Sequence, residues 1–370
     1  MDDNFGRHNV WGVCLPSSHP LKAHDYCRTQ AYPDNLNFDS ETLKHINDLE
    51  STVQKLEEEN KNLRSRCLIL AQLKHDDSSF QFWTGFPNYG SFSALFQYLE
   101  CALVNKRNWR GSDLLRKVNV TERKRGAPSK LSLEEEFFMV LIRLRLGLTL
   151  TDLASRFMLS EGNISKIFTT WINLLYFELK DLCQMPESLD EGKAKHFSNF
   201  PNVKIIIDCT EIFTEKPSSL QTCKEIYSNY KGHTTFKFLV EIDTHAAVVY
   251  VSRAWGGRTS DKHITSNCND LLDAMKEGDE IMADRGFDID DVLSVPSVKV
   301  IIPDFKGKDR SQMRAVESRR SENIAVARIH VERAIQRIKI YRILRTEIPL
   351  TMTHLAEQIF TLQIFIFVPI

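Results

Sequence analysis

Three carboxylates stand out because each is delivered by an apolar element. Asp208 ends the core of Val203-Lys-Ile-Ile-Ile-Asp-Cys-Thr210, whose consecutive isoleucines after Pro201-Asn202 predict a short strand buried on both faces. Asp284 follows a second apolar run in Glu280-Ile-Met-Ala-Asp-Arg-Gly-Phe287, and Glu332 lies in the helical stretch Arg328-Ile-His-Val-Glu-Arg-Ala-Ile-Gln-Arg-Ile-Lys339. A carboxylate at such a place must be solvated, paired or bound to a cation. Hard divalent cations, Mg²⁺ or Mn²⁺, take carboxylate oxygens and keep positions for water and phosphate. Two of them about 3.5–4 Å apart can serve the attacking and the leaving oxygen of phosphodiester cleavage. Three acids separated by 76 and 48 residues supply the ligands for that pair if the fold brings them together, with Asp208 bridging both ions and Asp284 and Glu332 each completing one. Taken alone, Glu332 beside Arg328 and Arg333 reads as an ordinary salt-bridged helix face; only the joint pattern lifts it.

The elements that must position these acids alternate. Strands are predicted at 203–208, 234–243 and 247–254, then a helix near 261–275, strands at 280–284 and 298–303, and a long helix over 322–342. That order predicts an α/β domain, a mixed sheet flanked by helices on the ribonuclease H-like plan, with Glu332 on a helix packed across the two aspartates. Arg328 and Lys339 fall on the Glu332 face of that helix and are placed to hold a scissile phosphate. Between 301 and 345 basic residues, including Lys306, Lys308 and Arg310, outnumber acids, which predicts strongly salt-dependent binding to double-stranded DNA.

Upstream the pattern is helical. Ser132 and Glu135 have capping-box spacing and open a helix that stops at Gly147; Leu150–Phe157 forms a second; and after the turn Leu159-Ser-Glu-Gly-Asn163 a third runs from Ile164 to Leu179. Three helices with a tight turn before the last predict a helix-turn-helix over about 130–182, within a helical region 80–182. Ser160, Asn163, Ser165, Lys166 and Thr170 are then the outward residues of the recognition helix. The aromatics from Phe80 to Phe92 are expected in the core, and the basic stretch 106–130 reads equally as a phosphate-tracking linker or a solvated charge run.

From residue 46 to 73 a heptad sets in, with Ile46, Val53, Asn60 and Cys67 at a and Leu49, Leu56, Leu63 and Leu70 at d. Leucine at d, β-branched residues at a and one buried asparagine predict a parallel two-stranded coiled coil, hence a homodimer. Glu59 at g would face Arg64 at e of the partner helix; an exposed pair of this kind contributes under about 1 kcal/mol. No cluster of Lys and Arg precedes the heptad, so it does not read as a basic leucine zipper. Residues 1–45 lack periodicity and are expected to be a disordered leader.

At 370 residues, 42% apolar and 26% charged, the chain is long enough for two or three cores, and a net charge of −1 gives no global attraction to nucleic acid. Its eight cysteines form no Cys-x-x-Cys pair, which favours reduced thiols over a disulfide scaffold or zinc finger. The longest apolar run, 364–370, is far short of the ~20 residues that cross a bilayer, so no membrane partner is expected.

Five ordered blocks carry a resemblance: Phe200-Pro-Asn-Val-Lys-Ile-Ile-Ile-Asp-Cys-Thr210, Tyr227-Ser-Asn-Tyr-Lys-Gly-His233, Gly256-Gly-Arg-Thr-Ser-Asp261, Ala283-Asp-Arg-Gly-Phe287, and the closing Arg328, Glu332 and Lys339. Over roughly 200–345 the chain resembles the DDE endonuclease domain of PIF/Harbinger-type transposases, and 130–182 resembles the helix-turn-helix before it. The resemblance implies a metal-dependent nuclease of nuclear DNA, transposase or host-retained copy, with Asp208, Asp284 and Glu332 as catalytic acids. It also implies a second, DNA-binding protein as a possible accessory partner. Asp261 follows the family's Gly-Gly turn and is an accessory residue, its other reading being the N-cap of the next helix. Three departures stand out. Ala325 occupies the place of a tyrosine in related bacterial transposases, the zinc-binding pattern that opens many animal relatives is absent, and the end, 346–370, lacks the family's Asn/Pro-containing closing helix and reads as a helix or tail. The alternative reading is a non-catalytic, dimeric helix-turn-helix protein that keeps the nuclease fold as scaffold.

Overall fold

A computed structural model of the chain describes residues 39–103, 129–182, 197–287, 289, 298–304 and 312–367. The leader up to residue 38, most of the basic linker and Lys306, Lys308 and Arg310 lie outside the described residues. Two compact units are separated, Met1–Ser65 and Arg66–Ile370.

The first unit is helix α1 (Ser40–Arg66), opened by Asp39, whose carboxylate accepts from the Thr42 N–H at 2.8 Å. Its apolar residues Leu43, Leu49, Val53 and Leu56 are exposed, as is Asn60, and Leu63 lies within the helix. The heptad stops sooner than its spacing predicts. The helix ends at Arg66, and Leu70, expected at a d position, is 6% exposed in the core of the second unit, on the short helix α2 (Leu70–Leu73). Leu68, Ile69 and Leu70 are consecutive apolar residues that no single helical stripe can bury together. Leu68 instead donates its N–H to the Arg156 carbonyl and packs with Leu70 against the helical core.

Helices α3 (Asp77–Thr84), α4 (Tyr89–Leu103), α5 (Leu133–Leu146), α6 (Leu150–Phe157) and α7 (Glu161–Leu179) follow. Phe80, Phe86 and Phe92 are buried as expected. The capping box at Ser132 and Glu135 forms, and Gly147 ends α5 at φ 65°. Inside, Trp171 donates its indole N–H to the buried Glu136 carboxylate at 2.9 Å, and the Arg143 guanidinium stacks over Phe168 at 4.2 Å.

The sheet elements are β1 (Val203–Phe213), α8 (Leu220–Ile226), β2 (Tyr227–Ser228), β3 (His233–Asp243), β4 (Val248–Val251), β5 (Trp255–Gly256), α9 (Asp261–Ser266), α10 (Asn269–Ala274), β6 (Glu280–Met282) and β7 (Lys299–Ile301). Helix α11 (Ala315–Ile338), α12 (Arg342–Arg345), a 3₁₀ turn Leu350–Leu355 and α13 (Ala356–Phe367) close the chain. Strand order is β2-β3-β1-β6-β7, with β4 and β5 also on β3. β1 is antiparallel to β3 and parallel to β6, giving the mixed, helix-flanked sheet of a ribonuclease H-like domain. The strand predicted over 247–254 is shorter, Val248–Val251, with β5 following outside that range, and the helix over 261–275 breaks in two at Asn267-Cys268.

The end of the chain, expected to be a helix or tail, is helical over Ala356–Phe367. α13 buries Ile359, Phe360 and Leu362, and the Phe360 ring stacks on Phe238 of β3 with centroids 4.1 Å apart. It also joins the core that α5 to α7 share, so the helices and the sheet belong to one unit.

Candidate active site

Alternation along β1 decides what each side chain faces. Ile205 and Ile207, with Cys209 beside them, pack with Leu239, Ile264, Ile281 and Phe287 on one face of the sheet. Ile206 packs on the other with Ile324, Ala327 and Val331 of α11. Period-two geometry therefore sends Asp208 toward α11 and Cys209 toward α9.

On the α11 side, Arg328 and Glu332 stand one turn apart, and Lys339 lies three turns on, within about 40° of the same helix face. The Arg328 guanidinium, 10% exposed, donates through Nη1 to Asp284 Oδ1 at 2.9 Å. Asp284 begins the turn Asp284-Arg-Gly-Phe287, in which the Phe287 N–H bonds back to the Asp284 carbonyl, and half of its side chain is open to solvent. Asp208 accepts the Cys209 N–H at 2.9 Å. Its carboxyl is pushed up to about 6, first by burial and then by the negative charges of Asp284 and Glu332, against the opposing pull of Arg328 and the Cys209 N–H. The charges of Asp284, Glu332 and Arg328 thus all act on Asp208.

Oxygen donors of this kind suit a hard divalent cation. Among the described residues, however, no three acid, His or Cys side chains are drawn close enough to hold an ion as they stand. In the structure Arg328 is hydrogen-bonded to one oxygen of Asp284. Its own Nε is buried without a hydrogen-bond partner among the described residues, so the guanidinium is held on one side only. The oxygen donors of Asp208, Asp284 and Glu332 match a divalent cation in kind, and holding one would require them to draw closer together.

Residues 207–367 match the family model described as DDE superfamily endonuclease, and residues 129–181 match that of the helix-turn-helix of DDE superfamily endonuclease. The chain carries a DDE superfamily endonuclease domain preceded by its helix-turn-helix. No curated protein and no solved structure matches it.

Within the endonuclease domain, Lys339 sits at the C-cap of α11, where it donates to the Glu211 carbonyl of β1 at 2.6 Å. Burial, then the charge of Lys231, brings its ammonium down to about 8. Asp261 does not cap its helix, because Ser260 does, accepting from the His263 N–H. Its carboxylate lies 2.6 Å from Lys237 Nζ, in an ion contact whose angle is poor for a hydrogen bond at Oδ1. Burial alone would lower the Lys237 ammonium, and the Asp261 contact outweighs it and raises the value. Burial, with Asp261 next, pushes the Cys209 thiol well above its ordinary range. The Lys237–Asp261–Cys209 cluster thus lies on the sheet face opposite Glu332. Sequence reading missed Lys237, although a lysine inside the apolar run Phe236-Lys-Phe-Leu-Val240 was the available signal.

In the helix-turn-helix, Ser160, Asn163 and Lys166 are exposed at the start of α7, with Ser160 its N-cap, and Ser165 is half-buried. Thr170 is a correction: it is 7% exposed and turns its hydroxyl to the Lys166 carbonyl at 2.7 Å, so it belongs to the helical core and not to an outer face.

Proposed function

We propose that the protein is a metal-dependent DNA endonuclease of the PIF/Harbinger transposase type, in which Asp208, Asp284 and Glu332 are the catalytic acids and hold two divalent cations, Mg²⁺ or Mn²⁺. The observation that carries this reading is that Arg328, one turn from Glu332 on α11, bonds Asp284 at 2.9 Å, while Asp208 on β1 faces the same helix. When bound, the cations would activate the attacking oxygen and stabilise the leaving one. The residues of the chain do the rest. β1 fixes Asp208 in a half-buried position where its carboxylate is costly unless neutralised, which favours cation uptake. Arg328 supplies that neutralisation in the metal-free protein and, on releasing Asp284, is free to turn its planar donors to a phosphate. Lys339, tied to β1, holds a second positive charge on the same helix face. Asp261, with Lys237, supports the site from beneath the sheet as an accessory residue.

Ser160, Asn163, Ser165 and Lys166 at the start of α7 make the proposed contact with double-stranded DNA, since this is where a recognition helix meets the major groove. The exposed stripe Leu49, Val53 and Leu56 with Asn60 supports a homodimer through α1. An accessory DNA-binding protein is the further partner this type of system would use, and the nucleus is where its substrate lies. Nicking of supercoiled plasmid tests the reading. We expect nicking that depends on Mn²⁺ or Mg²⁺ and is abolished in Asp208→Ala, Asp284→Ala and Glu332→Ala alike. Metal-independent duplex binding without cleavage would overturn it and favour the non-catalytic reading.

A further inference from the structure

One residue of the endonuclease domain is built into its surface in an unusual way. Tyr230 is 85% exposed, yet its turn is firmly tied. Ser228, 1% exposed, accepts the Lys231 N–H through its hydroxyl at 3.2 Å and the Gly232 N–H through its carbonyl at 2.8 Å. Gly232 takes φ 66°, which closes the turn without strain. Beneath it, β2 pairs with β3, and α8 lies directly over β5 because Gly256 and Gly257 have no side chains. A Cβ on Gly256 would collide with the Glu225 carbonyl, and one on Gly257 with the Thr235 hydroxyl. The Gly-Gly motif therefore serves to seat residues 220–232 against the sheet. Lys231 stands over the Tyr230 ring at 4.6 Å, and its charge reaches Lys339, whose own field reaches Asp208 and Glu211. Tyr227, 40% exposed, lies at the start of the same turn.

A rigid turn holding an exposed aromatic face beside a lysine, continuous with a cationic row that leads to the acids, has the chemistry of a nucleotide platform. The face takes a base by stacking, and the ammonium takes the adjoining phosphate. We propose that Tyr230 and Lys231 form a subsite for an unstacked nucleotide of the DNA strand flanking the scissile phosphate. The inference rests on DNA being the substrate of the Asp208 site, as argued above. The turn lies just past Phe213, whose ring meets that of His233 at 5.3 Å. Five residues of β1 separate Phe213 from Asp208, roughly 17 Å at the strand rise. For a strand that keeps the duplex spacing of about 3.4 Å per nucleotide up to the subsite, that span is some five positions from the cut.

The test uses the full chain and a single-stranded oligonucleotide carrying 2-aminopurine, whose fluorescence falls on stacking, with affinity read by anisotropy. Tyr230→Ala should weaken binding roughly five- to 100-fold and abolish the quenching, while Tyr230→Phe, which keeps the ring, should retain both. Lys231→Ala should lower the slope of log affinity against log salt by about 0.7. Equal binding by wild type and Tyr230→Ala would overturn the proposal, as would loss of quenching in Tyr230→Phe. If plasmid nicking fails to depend on Asp208 while quenching still depends on the Tyr230 ring, the nuclease reading falls and the subsite stands.

Discussion

Replacing Asp208 with Asn is expected to stabilise the metal-free protein while abolishing cleavage. Asn keeps an oxygen to accept the Cys209 N–H, so the local hydrogen bond survives and only the buried charge is removed. The Asp208 carboxyl is raised to about 6 in the folded chain from 3.8, mainly by burial. A carboxyl whose value is higher folded than unfolded favours the fold when protonated, and that contribution is lost as pH rises through about 6. At pH 7.5 the wild type therefore carries a penalty of about 3 kcal/mol that Asp208→Asn relieves. For a unit of about 300 residues this is a rise of roughly 5 °C in Tm. The gain should shrink to about half at pH 5 and nearly vanish at pH 4, where the wild-type carboxyl is protonated as well. Near-UV circular dichroism melts in EDTA read it directly. Saturating Mn²⁺ should then raise the Tm of the wild type much more than that of the variant. A variant no more stable than wild type at pH 7.5, or equally more stable at both pH values, would refute the buried-charge argument.

Arg328→Gln should free the Asp284 carboxylate and tighten Mn²⁺ binding about fivefold in calorimetry, because a half-exposed ion pair of about 1 kcal/mol no longer competes; weaker binding would show that Arg328 is not a competitor. Lys339, held down to about 8, should lose its charge as pH rises through that value, so DNA affinity measured by anisotropy should fall above pH 8 in wild type but not in Lys339→Arg. Leu56→Asp on the exposed stripe of α1 should convert a dimer to a monomer in sedimentation equilibrium without changing the melt of the second unit.

Much of the site was readable because its determinants are local. The three isoleucines before Asp208 and the capping box at Ser132 each fix an element through neighbouring residues; the capped helix starts where expected, and β1 starts at Val203 as expected but runs on to Phe213, which leaves Asp208 in mid-strand and not at its end. The hydrophobic alternation of β1 also implies that Asp208 and Cys209 face opposite ways. What the sequence concealed depends on partners distant along the chain. Leu70 continues the heptad in spacing, yet it is taken by the helical core because Leu68 and Ile69 precede it. Thr170 lies on α7 where spacing would have it outward, but the helices packed around it enclose it. Asp261 was open to two readings, and Ser260, which takes the cap of α9 itself, removes one of them. The apolar end of the chain, which could be read as a helix or a tail, folds as α13 because β3 and α7 together offer it a surface to cover.

The account stands on Asp208, Asp284 and Glu332 taking up cations together. Calorimetric titration of the full-length protein with Mn²⁺ in the absence of DNA, for wild type and for Asp208→Asn, Asp284→Asn and Glu332→Gln, tests this most directly. The account predicts saturable binding by wild type that each of the three substitutions weakens at least tenfold. Wild-type binding left untouched by any one of them would remove that residue from the site, and no binding by the wild type would contradict the shared cation centre itself.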